Sequence, residues 1–280
     1  MSITKSVLLG ILQGLTEFLP VSSSGHLALM GALFSGFPDG GLPLSFEILL
    51  HLATLLAVLL FYRKTLLALL PACLSLPKKL LTGRFSFSRF TGEERTLLAL
   101  FLGTLPLIAG VFLSDTVEEV CSRPSMIGGF LILNGFLLFL SSRLPEGDTA
   151  LEDALPRHAL TGGLFQLLAL FPGLSRSGCT MLGARLSGMK REDAVRFSFL
   201  LSVPAVIGAN LTALPGLFSG EGILSSPGVP LPVLLAGMAA AALTGLVSLW
   251  LLRFLTQKGG LIFFGVYCIL IGLLTLFLTR

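Results

Sequence analysis

Two short stretches of this 280-residue chain hold residue types that can do chemistry inside an otherwise apolar sequence. In the first, Gln13 and Glu17 stand four apart, so on a helix they share one face. Pro20 stops that helix. Ser22, Ser23, Ser24 and Gly25 follow, supplying hydroxyls and a cap for a second helix that carries His26 just inside its start. In the second stretch, Pro172-Gly173 precedes Ser175-Arg176-Ser177-Gly178, with Thr180 a little further on. A guanidinium offers phosphate oxygens a two-pronged set of donors. Helix N-termini bind anions through free N–H groups and the positive end of the dipole. Glu17 and His26 add a carboxylate and an imidazole, the usual pair for proton transfer, metal binding or activation of a hydroxyl. Together these residues read as a phosphate-handling site.

Plainer readings stand beside that one. A lone serine in a membrane helix usually bonds back to its own backbone, but three in a row beside Pro20 and His26 are not lone. Glu17 could simply cap a helix or pair with Arg176 across the two stretches. Glu47 and His51, four apart, either line the site or form a structural pair. Asn134, Asn210 and Gln166 read as hydrogen-bonders between helices, and Asp115, Glu118 and Glu119 as solvated surface. The run Lys190-Arg191-Glu192-Asp193 reads as an interfacial anchor and helix start.

The elements that position these residues must be membrane elements. The chain is 54% hydrophobic and 12% charged, with a mean hydropathy of +0.91. A soluble domain carries about 25% charged residues, so this composition cannot cover a water-facing surface and excludes soluble enzymes and nucleic-acid modules. The net charge of +4 reads as basic loops on one membrane face. Cys73, Cys121, Cys179 and Cys268 are scattered, with neither zinc nor disulfide spacing. The N-terminal apolar run is interrupted by Gln13 and Glu17 with no cleavage site after it, and reads as mature protein.

Six stretches are long and apolar enough to span a bilayer at about 20 residues each: 44–62, 96–113, 126–140 (extending at both ends), 194–214, 233–254 and 261–278. Residues 63–94 form a basic segment with an apolar patch at 66–76 that fits the interface. Gly237, Ala241 and Gly245 make a small-residue row suited to close helix packing. Residues 3–34 and 158–186 instead read as helix, turn, helix, with second helices too short to span. Both are expected to be re-entrant hairpins. That topology places 15 basic residues on one face, three on the other and Arg176 within the membrane; two spanning segments would give 11 and seven. Both termini then lie outside, with the first hairpin entering from outside and the second from the cytoplasm.

A shift of 153 residues pairs Gly10 with Gly163, Gln13 with Gln166, Phe18 with Phe171, Ser22 with Ser175 and Ser24 with Ser177. It also pairs Gly25 with Gly178, Ser45 with Ser198 and Phe46 with Phe199, and it uses two of the three glutamines in the chain. Each half, about 1–150 and 151–280, becomes one hairpin plus three crossings. Three is odd, so the halves must be inverted. The expected fold is a single all-α polytopic membrane domain: six transmembrane helices plus two re-entrant hairpins in an inverted-topology repeat, a plan that builds polar sites where broken helices meet near the midplane.

The segment Gln13-Gly-Leu-Thr-Glu17-Phe-Leu-Pro20-Val-Ser-Ser-Ser-Gly-His26 resembles the E/Q-x-x-x-E block and downstream histidine of the BacA/UppP undecaprenyl-diphosphate phosphatases. Pro172-Gly-Leu-Ser-Arg-Ser-Gly-Cys-Thr180 resembles that family's P-G-x-S-R-S-x-x-T block, and Phe46-Glu47 and 197–204 are also similar. Gln13 in place of a glutamate leaves Glu17 as the only carboxylate of its block. The resemblance implies hydrolysis of undecaprenyl diphosphate to the monophosphate, which recycles the lipid carrier of cell-wall synthesis, and a role in bacitracin resistance. It also implies a divalent cation, Mg2+ or Ca2+, bound through Glu17, and a site opening to the periplasmic side of the bacterial inner membrane. The expected partners are the polyprenyl diphosphate and the membrane, with no nucleic acid, and a homodimer stands open.

On this reading Arg176, the two helix starts, Ser175, Ser177 and Thr180 take the phosphates, with Gln13, Ser22 and Ser24 also on the substrate. Ser23 is the candidate nucleophile, His26 the proton carrier, and Glu17 the metal ligand or the base. Attack by metal-activated water is the rival. Two other functions compete. Inverted repeats of broken helices also build carriers, so a transporter or flippase of a phosphate-bearing lipid or anion is the main alternative. Ser24-Gly25-His26 echoes a fragment of the type 2 phosphatidic-acid phosphatases, but the flanking blocks of that family are missing.

Overall fold

The computed structural model describes residues 1–33, 44–81, 89–218, 229–257 and 260–279, and it is built of helices. Arg84, Lys258 and Arg280, which the charge comparison assigned to the two faces, lie outside the described residues, as does the side chain of Ser45 from the repeat. Five helical stretches are long and apolar enough to cross a membrane: Gly92–Leu113, Pro124–Arg143, Arg191–Leu211, Leu231–Thr256 and Leu261–Leu278. All five coincide with expected spans, and the short one at 126–140 does extend at both ends. The sixth expected span is helix α3 (Leu44–Phe61). It counts as a crossing only when joined to α4 (Arg63–Leu81), from which it bends by 85°. That bend lays α4 across the helix bundle, with Leu67, Leu70 and Leu74 exposed, as a helix in the interfacial plane would be.

Both expected hairpins are present as pairs of short helices. The first is α1 (Ile3–Phe18) and α2 (Ser23–Leu33). The remaining helices in chain order are α5 (Gly92–Thr104), α6 (Ser114–Cys121), α7 (Pro124–Arg143), α8 (Pro156–Leu168), α9 (Arg176–Leu186), α10 (Arg191–Phe218), α11 (Leu231–Gln257) and α12 (Leu261–Leu278). The second hairpin is α8 and α9. At 11 residues, α2 and α9 are each about 16 Å long, half the hydrocarbon thickness.

Small residues let the hairpins sink into the bundle. Gly10 of α1 lies against the Gly237 carbonyl, and Gly14 against Ala241 and Gly245, so the expected small-residue row of α11 is the seat of α1. In the other half Gly163 of α8 lies against Gly103 of α5. Gly10 and Gly163, paired by the 153-residue shift, therefore do the same work. Helices α7 and α12 also pack through glycines, Gly128 on Gly272 and Gly135 on Gly265.

Helix α5 opens with a capping box: Thr91 Oγ1 accepts from Glu94 N–H at 3.3 Å, and Glu94 accepts from Thr91 N–H at 2.9 Å. Lys79 of α4 closes on the same carboxylate at 2.6 Å. Beyond Thr104 the helix tightens into a 3₁₀ stretch, Leu105–Leu113, starting where Pro106 removes a backbone donor. The expected helix start at Lys190–Asp193 holds: α10 begins at Arg191, whose N–H donates to Glu146 at 2.7 Å.

Candidate active site

The two hairpin tips meet inside the bundle, and the way each tip starts its second helix explains the geometry. Ser22 Oγ accepts the Gly25 N–H at 3.3 Å, capping the first turn of α2. Ser175 Oγ accepts the Gly178 N–H at 3.2 Å, capping α9. These serines are partners in the 153-residue repeat and have the same local task. The tips also bond to each other. Ser22 Oγ accepts from Gly173 N–H at 3.0 Å, and Ser177 Oγ donates to the Phe18 carbonyl at 3.2 Å.

Asn134, fully buried on α7, ties both tips to the bundle. Its amide nitrogen donates to the Pro20 carbonyl at 2.9 Å, and its amide oxygen accepts from the Ser175 N–H at 3.0 Å. The expectation of an inter-helix bonder at Asn134 holds, in a more consequential place than the sequence alone revealed.

Glu17 is the polar centre. One carboxylate oxygen takes the Arg176 guanidinium from the opposite hairpin. The other accepts from Ser23 Oγ at 2.6 Å and from Gln13 Nε2 at 3.1 Å, and it faces His51 Nε2 at 3.7 Å. A carboxylate this deeply buried is tolerable only with such pairing; removing one partner of a buried ion pair costs about 3–5 kcal/mol. The arrangement joins a hydroxyl, a carboxylate that can take its proton and a guanidinium that can take phosphate oxygens.

These groups lie at the polar end of a cavity of about 570 Å³. Glu17, Ser22, Ser23, Ser24, Ser175 and Arg176 all line it. Most of its other lining is apolar, with Leu107, Ile108 and Val111 from the 3₁₀ stretch, Leu170 from the second tip and Pro204 and Val206 from α10.

Four expected site residues are placed elsewhere. His26 does not line the cavity: its Nδ1 bonds the Ser22 carbonyl at 2.7 Å and its Nε2 meets the Tyr267 hydroxyl at 2.8 Å. Thr180 and Ser177 are turned into the protein. Thr180 bonds to Ser198 of α10 and to the Arg176 carbonyl, and Ser177 bonds to Ser175 and Phe18. Gln13 is fully buried behind Glu17 and reaches the cavity only through it.

The imidazole beside Glu17 is His51. Its Nδ1–H donates to the Glu47 backbone carbonyl at 2.9 Å, which turns Nε2 toward the cavity. The sequence left His51 open between lining and structure; the ring lines the cavity. Gln166 is the residue that sequence reasoning placed differently. Rather than bonding between helices, it lines the cavity, and neither amide atom has a partner among the described residues. Its pairing with Gln13 in the repeat was the signal available. Among the described residues Asn210 bonds to its own helix, at Val206.

Helices long and apolar enough to cross a bilayer, packed around two short hairpins with a polar centre in a largely apolar cavity, define an all-α polytopic membrane protein. The chain belongs to the family described as "Bacitracin resistance protein BacA", whose model matches residues 6–274. It is 36% identical over 274 residues to the undecaprenyl-diphosphatase of Methanococcus vannielii, covering 98% of this chain and 99% of that protein. It is 34% identical over 285 residues to undecaprenyl-diphosphatase 2 of Halalkalibacterium halodurans, covering 99% and 96%. It is also 36% identical over 283 residues to the undecaprenyl-diphosphatase of Methanosphaera stadtmanae, covering 100% and 99%. The two hairpin motifs had implied this family.

Proposed function

We propose that this chain hydrolyses undecaprenyl diphosphate to undecaprenyl phosphate and inorganic phosphate, returning the lipid carrier to cell-wall synthesis. The observation that carries the proposal is the contact of Arg176, from one hairpin, with Glu17 and its hydrogen-bonded Ser23, from the other, at the polar end of an apolar cavity. Phosphoryl transfer is largely positioning and charge stabilisation, and these residues supply both. The apolar walls suit a prenyl chain.

In the first step the terminal phosphate draws Arg176 away from Glu17. Ser23 Oγ attacks the terminal phosphorus, its proton passes to Glu17, and the bond to the departing undecaprenyl phosphate breaks. Glu17 then hands that proton to the departing undecaprenyl phosphate. In the second step water attacks the phosphoserine and gives a proton to Glu17, which passes it to Ser23 Oγ as that oxygen leaves the phosphorus and inorganic phosphate is released. The starts of α2 and α9 and Arg176 hold the phosphate oxygens throughout.

A divalent cation, Mg2+ or Ca2+, belongs to the same proposal. Both ions take hard oxygen donors, and Mg2+ in particular is often held by one or two carboxylates plus substrate phosphates. Glu17 supplies a carboxylate, and the buried Gln13 Oε1 has no hydrogen-bond partner among the described residues. Among the described residues no three His, Cys, Asp or Glu side chains cluster for a metal. Glu17 and Gln13 would therefore be the residues that hold the ion. When bound, the ion would neutralise charge on the phosphates.

The inverted arrangement of the halves and an outward-opening site are part of the reading, supported by the 153-residue repeat and by the 15-to-three split of basic residues; a bacterial inner-membrane location follows the family resemblance. One chain supplies both tips, so a homodimer would not be needed to complete the site.

The test is phosphate release from undecaprenyl diphosphate by purified protein in detergent, with no gradient. The expected result is turnover that falls by at least about 1,000-fold in Ser23→Ala. A protein that moves its lipid without releasing phosphate would support the carrier that broken-helix pairs also build. Full activity in Ser23→Ala would favour water as the nucleophile.

A further inference from the structure

Ser22 is the only non-glycine residue with a positive φ, +72°, among the described residues. Serine rarely adopts this left-handed backbone without outside support. The support is visible. Ser22 Oγ accepts from Gly25 N–H and, across the hairpins, from Gly173 N–H. The Ser22 carbonyl accepts twice from one residue, from the His26 N–H at 3.2 Å and from His26 Nδ1–H at 2.7 Å.

That carbonyl belongs to the peptide plane joining Ser22 to Ser23. Fixing the plane fixes the direction in which Ser23 projects its side chain, and Ser23 Oγ sits 2.6 Å from Glu17. A carbonyl can only accept, so His26 carries its proton on Nδ1. Nε2 is then the acceptor for the Tyr267 O–H at 2.8 Å, under a ring that stacks on His26 at 7° and 5.6 Å. His26 is 7% exposed and does not line the cavity. Both ring nitrogens are engaged by the protein, by the Ser22 carbonyl and the Tyr267 hydroxyl.

We propose that His26 is a positioning residue: in its neutral, Nδ1-protonated form it clamps the Ser22–Ser23 peptide so that Ser23 Oγ stays aligned with Glu17, and it carries no proton in the reaction. This rests on the assignment of Ser23 as nucleophile, so Ser23→Ala is run alongside as the control for that assignment.

Asparagine places a side-chain N–H where histidine has Nδ1 but cannot titrate, so His26→Asn and His26→Ala separate the two roles. His26→Ala is expected to lower kcat by about 100-fold with KM within about threefold. His26→Asn is expected to recover kcat to within about tenfold of wild type and to keep every limb of the wild-type pH–rate profile. Thermal melts of both variants read folding separately. Tyr267→Phe, which leaves the Nδ1 bond intact, is expected to stay within about threefold of wild type. A folded His26→Asn protein as inactive as His26→Ala, or an active one that has lost a pH limb, overturns the proposal. If instead Ser23→Ala keeps wild-type turnover, it is the nucleophile assignment that fails.

Discussion

Asn134 holds both hairpin tips through two backbone groups, so its replacement has a calculable cost. In Asn134→Leu, the Ser175 N–H loses its partner inside the protein and the Pro20 carbonyl keeps only a weak 3.9 Å contact from Cys268 Sγ. An orphaned buried backbone group costs about 1–3 kcal/mol, so the pair costs about 2–6 kcal/mol. That is a large share of a typical stability of about 5–15 kcal/mol, yet it leaves folded protein to assay. Catalysis should suffer beyond stability, because Pro20 and Ser175 flank the two helix starts, and a shift of about 1 Å in a reacting group costs on the order of 100-fold in rate. At a pH where its carboxyl is ionised, Asn134→Asp still accepts from Ser175 but meets the Pro20 carbonyl with a second acceptor. It should therefore be nearly as impaired as Asn134→Leu despite its shape. Asn210→Leu serves as the control, since among the described residues Asn210 donates to Val206 in its own helix. Thermal melting in detergent and phosphate release at saturating substrate measure the two effects. Wild-type melting and turnover in Asn134→Leu would refute the pinning of the tips by this residue.

Other outcomes follow from named contacts. Thr180→Val removes the hydroxyl that joins α9 to Ser198 but touches no cavity wall. It should lower the melting temperature while leaving kcat and KM within about threefold, and a large rise in KM would return Thr180 to the substrate. Gly14→Leu drives a side chain into the Ala241 carbonyl and Gly245. It should abolish folded expression, whereas the same change at Gly129, which has nothing within 4 Å, should be tolerated; comparable yields of both would contradict the seating of α1 on α11. Chelation with EDTA should stop phosphate release, with Mg2+ or Ca2+ restoring it, and full turnover in EDTA would remove the cation from the mechanism.

Much of this architecture could be read from residue types. Pro20 and Pro172 mark the two breaks, the serine runs mark the helix starts, and Gly237, Ala241 and Gly245 mark a packing face; each signal is local and each element lies where the signal puts it. The pairing of Glu17 with Arg176 was also legible, since an intramembrane acid and base on facing hairpins have few other partners. What stayed hidden depends on rotation and on distant partners. Whether His26 or His51 faces Glu17 is decided by the left-handed turn at Ser22 and by Tyr267, 241 positions away in sequence. Thr180 turns inward because Ser198 lies behind it, and no spacing within the motif reports that neighbour. The 85° bend after α3 falls between two stretches whose hydropathy is read separately.

The central claim is that residues on two different hairpins form one catalytic unit. A double-mutant cycle of Glu17→Gln and Arg176→Gln, read as kcat for phosphate release, tests it most directly. If the two groups act together, each single change costs at least about 1,000-fold and the double variant is no slower than the worse single, as in groups that act as a unit. If the two losses multiply, or if either variant keeps near-normal turnover, the unit does not exist.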